Sequence, residues 1–202
     1  MINANKKNVG IFVFKEVEIL DFAGPYEVFS STVLKNKSLA NIKDLPKAFN
    51  TFTVSEENKI IHTSGNLLIN SKHNFNSCPK LDILIIPGGL GTRILLKNKK
   101  VLNWINTHKN ISVLASVCTG SLLLAKAGLL ENKSATTHWG AYDILKKISS
   151  TTNVIKNKKY VFDTYYTSAG VSSGIDMSLK IVEKICGKQI AKNTAKYIEY
   201  KY

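Results

Sequence analysis

Arginine is nearly absent from this chain: Arg93 stands alone among 28 basic residues, which face 14 acidic ones for a formal net charge of +14. Base-specific contacts to nucleic acid depend heavily on the guanidinium fork. The charge, spread over patches such as KNKK at 97–100 and again at 156–159, therefore reads as a solvated lysine surface with no specific nucleic-acid partner. Weak attraction to acidic polymers at low salt is the most it supports. Cysteine is sparse too. Cys78, Cys118 and Cys186 are odd in number and far apart, which argues against a disulfide framework and suits a reducing compartment. No CxxC, HExxH or paired Cys/His spacing occurs, so no metal is expected. Long apolar runs are missing, none approaching the ~18 residues of a membrane span. The opening MINANKKNVG lacks the apolar centre of a secretory leader. These absences lead us to expect a cytoplasmic protein without membrane association. At 202 residues and 44% hydrophobic content, the chain suits one domain over 1–202.

What is present alternates short apolar runs with helical patterns, the sequence form of an α/β fold with a mostly parallel sheet. VGIFVF (9–14) reads as the first strand, and Asp21 and Pro25 suit the start of a helix running to Leu34. Residues 35–48 read as a surface loop. FNTFTVS, KIIHTS and NLLIN give a second strand and short accessory strands, and LDILIIPGG (81–89) a buried strand ending in a glycine pair. A helix with Trp104 and Ile105 inward follows. ISVLASV (111–117) is a further buried strand, and TGSLLLAKAGLL (119–130) the helix after it. SATTHW and TNVIK are short strands around a helix from Ala141 to Ile148, and KYVFDTYYTSAG a hairpin about Asp163–Thr164. Ile175, Leu179, Val182 and Ile185 mark a packing helix, and KQIAKNTAKYIEY a final one.

Cys118 sits where the strand ISVLASV stops and a helix begins. A strand-to-helix turn lifts a side chain out of the sheet, and a helix N-terminus favours thiolate over thiol. The expectation is a nucleophile elbow with Cys118 ionised near neutral pH; the alternative is a buried cysteine acting as a small hydrophobe. In open α/β sheets, ligands bind beyond the carboxyl ends of the strands. Asp21, the Gly88–Gly89 pair and Cys118 all follow such ends and should share one crevice. Asp21 has two readings, helix N-cap or catalytic acid; Glu27 is a rival acid, and a carboxyl beside a thiolate should titrate high. PGGLGTR (87–93) matches neither GxGxxG nor GxxxxGK[ST]. Its glycines either form a plain turn or let the Gly89 and Thr119 N–H groups stabilise developing negative charge. His138 is either a structural histidine or a partner for the cysteine, while Cys78 and Cys186 read as packing residues.

Together, ILDFAGPYEVF, CPKLDILIIPGGLG, SVCTGSLLLAKAGLLENKSATTHW and SAGVSSGID resemble the ThiJ/PfpI (glutamine-amidotransferase-like) superfamily from about Val9 to Cys186. The resemblance implies a flavodoxin-like three-layer sandwich and a homodimer. It is strongest to the isonitrile hydratase branch, in which threonine follows the nucleophilic cysteine, as Thr119 follows Cys118, and the acid is an aspartate in an LDxxGP context, as Asp21 is here. Branches with histidine directly after the cysteine are a poorer match, as is the glutamate-using glyoxalase branch. The same motifs occur in sensor domains of AraC-type regulators, which continue into a DNA-binding module, whereas this chain stops at Tyr202. The implied activity is that of a cofactor-independent hydro-lyase acting on a small electrophile. Cys118, Asp21 and Thr119 would be catalytic, and Gly88, Gly89 and Thr119 would form the oxyanion and substrate-binding surface. A glyoxalase-type enzyme and a redox- or ligand-sensing module are the alternatives.

Overall fold

The structure, a computed structural model, describes residues 6–34, 45–57 and 60–202. In chain order its elements are β1 (Lys7–Phe12), α1 (Ile19–Ser31), β2 (Phe49–Ser55), β3 (Ile60–His62), β4 (Leu68–Asn70), β5 (His73–Asn74) and β6 (Ile83–Ile86). Then follow α2 (Thr92–Leu95), α3 (Lys99–Thr107), β7 (Val113–Val117), α4 (Gly120–Lys126), β8 (Ser134–Ala135), α5 (Tyr142–Ile148) and β9 (Asn153–Val154). The chain closes with β10 (Tyr160–Phe162), β11 (Tyr166–Ser168), α6 (Ser173–Cys186) and α7 (Lys188–Tyr197).

Seven strands form one sheet in the order β10-β11-β7-β6-β1-β2-β5. Every pairing in it is parallel except the β10–β11 hairpin. Two groups of helices, α1 with α6 and α7, and α4 with α3 and α5, complete a three-layer sandwich of flavodoxin-like type. Covering both faces explains the unbroken apolar runs: ILII of β6 and VLASV of β7 are buried throughout, as strands inside a parallel sheet must be. The core runs through Ile11 and Phe12, Ile83 to Ile86, Ile105 and Leu122 to Leu124, all fully buried. The chain moves outward from β1 to β2 on one side and from β6 to β7 and β11 on the other. The β1–β6 boundary is therefore the topological switch point where such folds place their ligands. Among the described residues no helix is long and apolar enough to cross a membrane.

Two local expectations need correction, and one lies largely outside the described residues. The helix after β1 begins at Ile19 rather than at Asp21, with Glu18 at its N-cap and Pro25 in its interior. Proline there leaves the carbonyl of Asp21 without its usual helical N–H partner. The helix after Cys118 ends at Lys126 instead of reaching Leu130, and Gly128 takes a positive φ of 77°, the usual way a glycine turns a chain out of a helix. The short strands β8 and β9 pair with each other outside the main sheet. Of the loop expected over 35–48, residues 35–44 lie outside the described residues, and Lys47 bridges to Val33.

The close contact of α4 with β6 depends on a missing side chain. A Cβ on Gly120 would stand 2.0 Å from the Ile86 carbonyl oxygen, whereas one on Gly128 meets nothing nearer than 3.9 Å. Gly128→Ala should cost only the about 1–2 kcal/mol of a left-handed non-glycine residue. Gly120→Ala should cost clearly more, because strand and helix must part. Urea midpoints of the two variants check this, and equal losses would contradict it.

Candidate active site

The carboxyl ends of β1, β6 and β7 bring together the residues that sequence reasoning singled out. Cys118 follows β7 directly and holds a φ of +56°, a left-handed conformation that costs a non-glycine residue about 1–3 kcal/mol. Its backbone is tied on both sides. The Cys118 N–H donates to the carbonyls of Ser168 and Ala169, each at 3.1 Å. Its own carbonyl accepts from Thr137 Oγ1 at 3.0 Å and Ser121 Oγ at 3.1 Å. This bonding holds the elbow and leaves Cys118 6% exposed at the edge of the core.

Asp21 reaches the same point from α1. Its carboxyl does not cap the helix: Oδ2 accepts the Gly88 N–H at 3.0 Å, and Oδ1, fully buried, has no conventional hydrogen-bond partner beside the neighbouring thiol. The turn after β6 must approach closely for this, and a Cβ on Gly88 would stand 2.6 Å from the Thr119 nitrogen and 2.8 Å from Asp21 Oδ2. Gly89, at φ +122°, donates its N–H to Thr119 Oγ1 at 3.1 Å. Thr92 Oγ1 lies 3.3 Å from that same hydroxyl and donates to the Gly89 carbonyl at 2.7 Å. Both glycine N–H groups are thus engaged with Asp21 and Thr119. Either could serve an oxyanion only by exchanging that partner.

The electrostatics correct one expectation. Burial pushes the Cys118 thiol up to about 12; the charge of Asp21 adds to this, and the Thr119 N–H and hydroxyl offset only part of it. A seven-residue α4 supplies too little to overcome the loss of water, so the lone thiolate expected from the elbow position is not the resting form. Burial likewise raises Asp21 to about 7, against the lowering effects of the Gly88 N–H and the Cys118 thiol, with a small upward push from Glu18. The high-titrating carboxyl was foreseen, but its main cause is dehydration and not the neighbouring sulfur. The two groups form a coupled pair sharing protons.

Glu27 is not brought to this point. It is exposed and accepts from Ser31 Oγ at 2.6 Å. His138 has a structural role: Nδ1 accepts the Gly140 N–H at 3.2 Å, capping a short 3-10 turn at Trp139–Ala141, and the residue also lines the Cys118 pocket. That pocket, about 170 Å³, is bounded by Glu18, Gly89, Leu90, Arg93, Cys118, Thr119, His138 and Val171. Glu18, Leu90, Arg93 and Val171 escaped sequence reasoning. Glu18 lies one helical turn before Asp21, and Leu90 and Arg93 directly follow the glycine pair, so spacing could have suggested them. Cys78 and Cys186 are half-buried free thiols.

The family model described as DJ-1/PfpI matches residues 7–184. The chain belongs to the DJ-1/PfpI family. Isonitrile hydratase of Pseudomonas putida is 30% identical over 193 residues, covering 95% of this chain and 78% of that protein. The HTH-type transcriptional regulator GbdR of Pseudomonas aeruginosa is 21% identical over 94% of this chain, which spans 49% of the regulator's length. Among solved structures, a THiJ/PfpI family protein from Pseudomonas syringae superposes with a TM-score of 0.83 and 26% identity, over 98% of this chain and 76% of that one. The DJ-1/PfpI family thus includes an enzyme and a regulator among this chain's relatives.

The buried carboxyl has a consequence for stability. Asp21 titrates at about 7 in the folded protein and near 3.8 unfolded, so as pH rises between those values the unfolded state ionises first and the fold loses stability. Above pH 7 the penalty is fully present, up to about 4 kcal/mol. Asp21→Asn removes it while keeping an acceptor for Gly88. In scanning calorimetry the variant should melt several degrees above wild type at pH 8, at about 2–4 °C per kcal/mol, and the two should converge toward pH 4. Parallel curves at all pH values would contradict a costly buried charge.

Proposed function

We propose that this DJ-1/PfpI protein hydrates an isonitrile to an N-substituted formamide. One observation carries the reading: a dehydrated thiol lines a small pocket, with a dehydrated carboxyl hydrogen-bonded beside it, on a chain 30% identical to an isonitrile hydratase over 95% of its length. A pair holding a single proton has two arrangements, thiol with carboxylate and thiolate with carboxylic acid. The second contains a nucleophile and an acid together, and the charge of Asp21 that otherwise raises the thiol is then absent.

In the first half-reaction the Cys118 sulfur bonds to the terminal isonitrile carbon while Asp21 delivers its proton to that carbon, giving the thioimidate R–N=CH–S–Cys118. In the second, the Asp21 carboxylate takes a proton from water as the water oxygen bonds to the same carbon, and passes that proton on to the nitrogen. The adduct R–NH–CH(OH)–S–Cys118 then collapses: the C–S bond breaks, the hydroxyl proton passes by way of Asp21 to the departing sulfur, R–NH–CHO is released and the thiol is regenerated. One water is consumed and no electrons change hands. Thr119 orients this pair through its N–H and hydroxyl, and the Gly89 N–H, released from Thr119 Oγ1, is the nearest donor for transient charge. Gly88 keeps Asp21 in place.

A second reading, ligand sensing without turnover, is favoured by the similarity to GbdR. Incubation with a panel of small isonitriles, with formamide followed by chromatography, separates the two. Wild type should form product, Cys118→Ala none, and Asp21→Asn should fall by about 100-fold or more, the usual worth of a positioned acid–base group. No product above the Cys118→Ala background would overturn the hydratase reading, and methylglyoxal turnover in its place would favour a glyoxalase-type activity.

The pH profile tests the shared proton separately. With two protons the pair lacks a nucleophile, and with none it lacks an acid. Hence kcat/KM should rise through about pH 7, where Asp21 titrates, and decline toward about 12, where Cys118 does. Asp21→Asn should erase the limb near 7; a wild-type profile with no limb between pH 5 and 9 would refute the coupled-pair form.

A further inference from the structure

Arg93 is the chain's sole arginine, and it lines the same small pocket as Cys118. Its guanidinium is held in place. Nη1 donates to the Gly89 carbonyl at 3.2 Å and to Thr92 Oγ1 at 3.2 Å, and Thr92 Oγ1 in turn lies 3.3 Å from Thr119 Oγ1. A short chain of polar contacts therefore links the arginine to the residue that follows the nucleophile. Nη2 and Nε make no such hydrogen bonds among the described residues, so part of the donor fork stays open. The residue is exposed, as one at a mouth would be. The one anionic side chain on the same pocket, Glu18, accepts from Ser64 Oγ at 3.2 Å and makes no ion pair with Arg93 among the described residues. The rest of the wall offers Leu90 and Val171, and a volume of about 170 Å³, below the ~300–1,000 Å³ of sites that take drug-sized ligands.

We infer that the electrophile this site accepts is a small molecule carrying a carboxylate, bound by the free guanidinium edge of Arg93 while its reactive carbon faces Cys118. A planar carboxylate matches the arginine fork in shape and charge, which a lysine ammonium does not. The remaining small pocket leaves room for a short link between the two groups and no bulky substituent. This inference rests on the hydratase reading for the identity of the reactive group, which makes a short isocyano carboxylate the substrate class. Its anion-binding half stands apart from that chemistry.

Two measurements keep the halves distinguishable. The first alkylates the protein with iodoacetate and with iodoacetamide, reagents of similar size that differ in charge, and reads each cysteine by mass spectrometry. The rate ratio of anionic to neutral reagent should be higher at Cys118 than at Cys78 and Cys186 by about tenfold. The latter two share the +14 surface and serve as internal controls. Arg93→Gln should bring the Cys118 ratio down to theirs, and Arg93→Lys should restore it only in part. A ratio at Cys118 equal to the controls, or one unmoved by Arg93→Gln, overturns the inference. The second compares kcat/KM for isocyanoacetate and its ethyl ester. Wild type should prefer the free acid by about tenfold, and Arg93→Gln should abolish the preference. Turnover of both without preference sinks the inference and leaves the hydratase reading standing. A selective alkylation ratio with no isonitrile turnover does the reverse.

Discussion

Asp21 and Cys118 share a site too dry for two charges, and most of what is unusual in this structure serves that contact. The carboxyl gives up its role as a helix cap and takes one hydrogen bond, from the Gly88 N–H. That bond exists because the turn after β6 carries no side chain where Asp21 Oδ2 and the Thr119 backbone stand. On the other side, the elbow holds Cys118 at φ +56°, a strain offset by the hydrogen bonds to its own N–H and carbonyl. Loosening either arm would readmit water or part the groups, and each would return toward its ordinary titration range. The high Asp21 and high Cys118 are therefore properties of the junction between β1, β6 and β7 rather than of either residue.

This has a bearing on which chemistry suits the site. A thiol kept protonated by burial and by a carboxylate neighbour is a poor target for peroxide, because oxidation starts from the thiolate. A standing redox sensor would want the opposite environment. Addition to an electrophile that accepts a proton on the attacked carbon fits better, since sulfur gains its charge only as the proton leaves for the acid beside it. Thr119 is consistent with that role. It offers an N–H and a hydroxyl to the sulfur and no base of its own, so the carboxyl of Asp21 is the titratable group in direct reach of the thiol.

Much of the fold was legible because the sheet is buried on both faces: continuous runs such as ILII and VLASV have no other stable setting, and they mark β6 and β7 without any help from three-dimensional data. The meeting of Asp21, the glycine pair and Cys118 was legible for the same reason, since parallel strands place their carboxyl ends on one edge. The boundaries of α1 and α4 were not. Pro25 looked like a helix start yet sits in the interior, because the surrounding packing tolerates one missing N–H. Leu129 and Leu130 continue the apolar pattern after α4, but they are buried from a turn made by Gly128. The sign of the Cys118 shift was also hidden: a helix start can be seen in sequence, while the depth of burial that outweighs it depends on residues from β7, α1 and the turn after β6. Leu90 and Val171 escaped because loops aim them into the pocket, and Arg93 because it stands on the short helix α2 and not at a strand end.

Two scales of electrostatics act on any anionic ligand here. The lysine surface carries the net charge of +14, and its field raises the local concentration of anions, but it is screened within about 8 Å at physiological salt and distinguishes little between them. Selection has to occur where the charge is fixed in shape and partly shielded from water. Arg93 meets the first condition through its anchoring to Gly89 and Thr92, the pocket wall beside it supplies the second, and Glu18, on the same wall, disfavours a ligand with diffuse negative charge. A compact carboxylate on the guanidinium edge satisfies Arg93 without crowding Glu18.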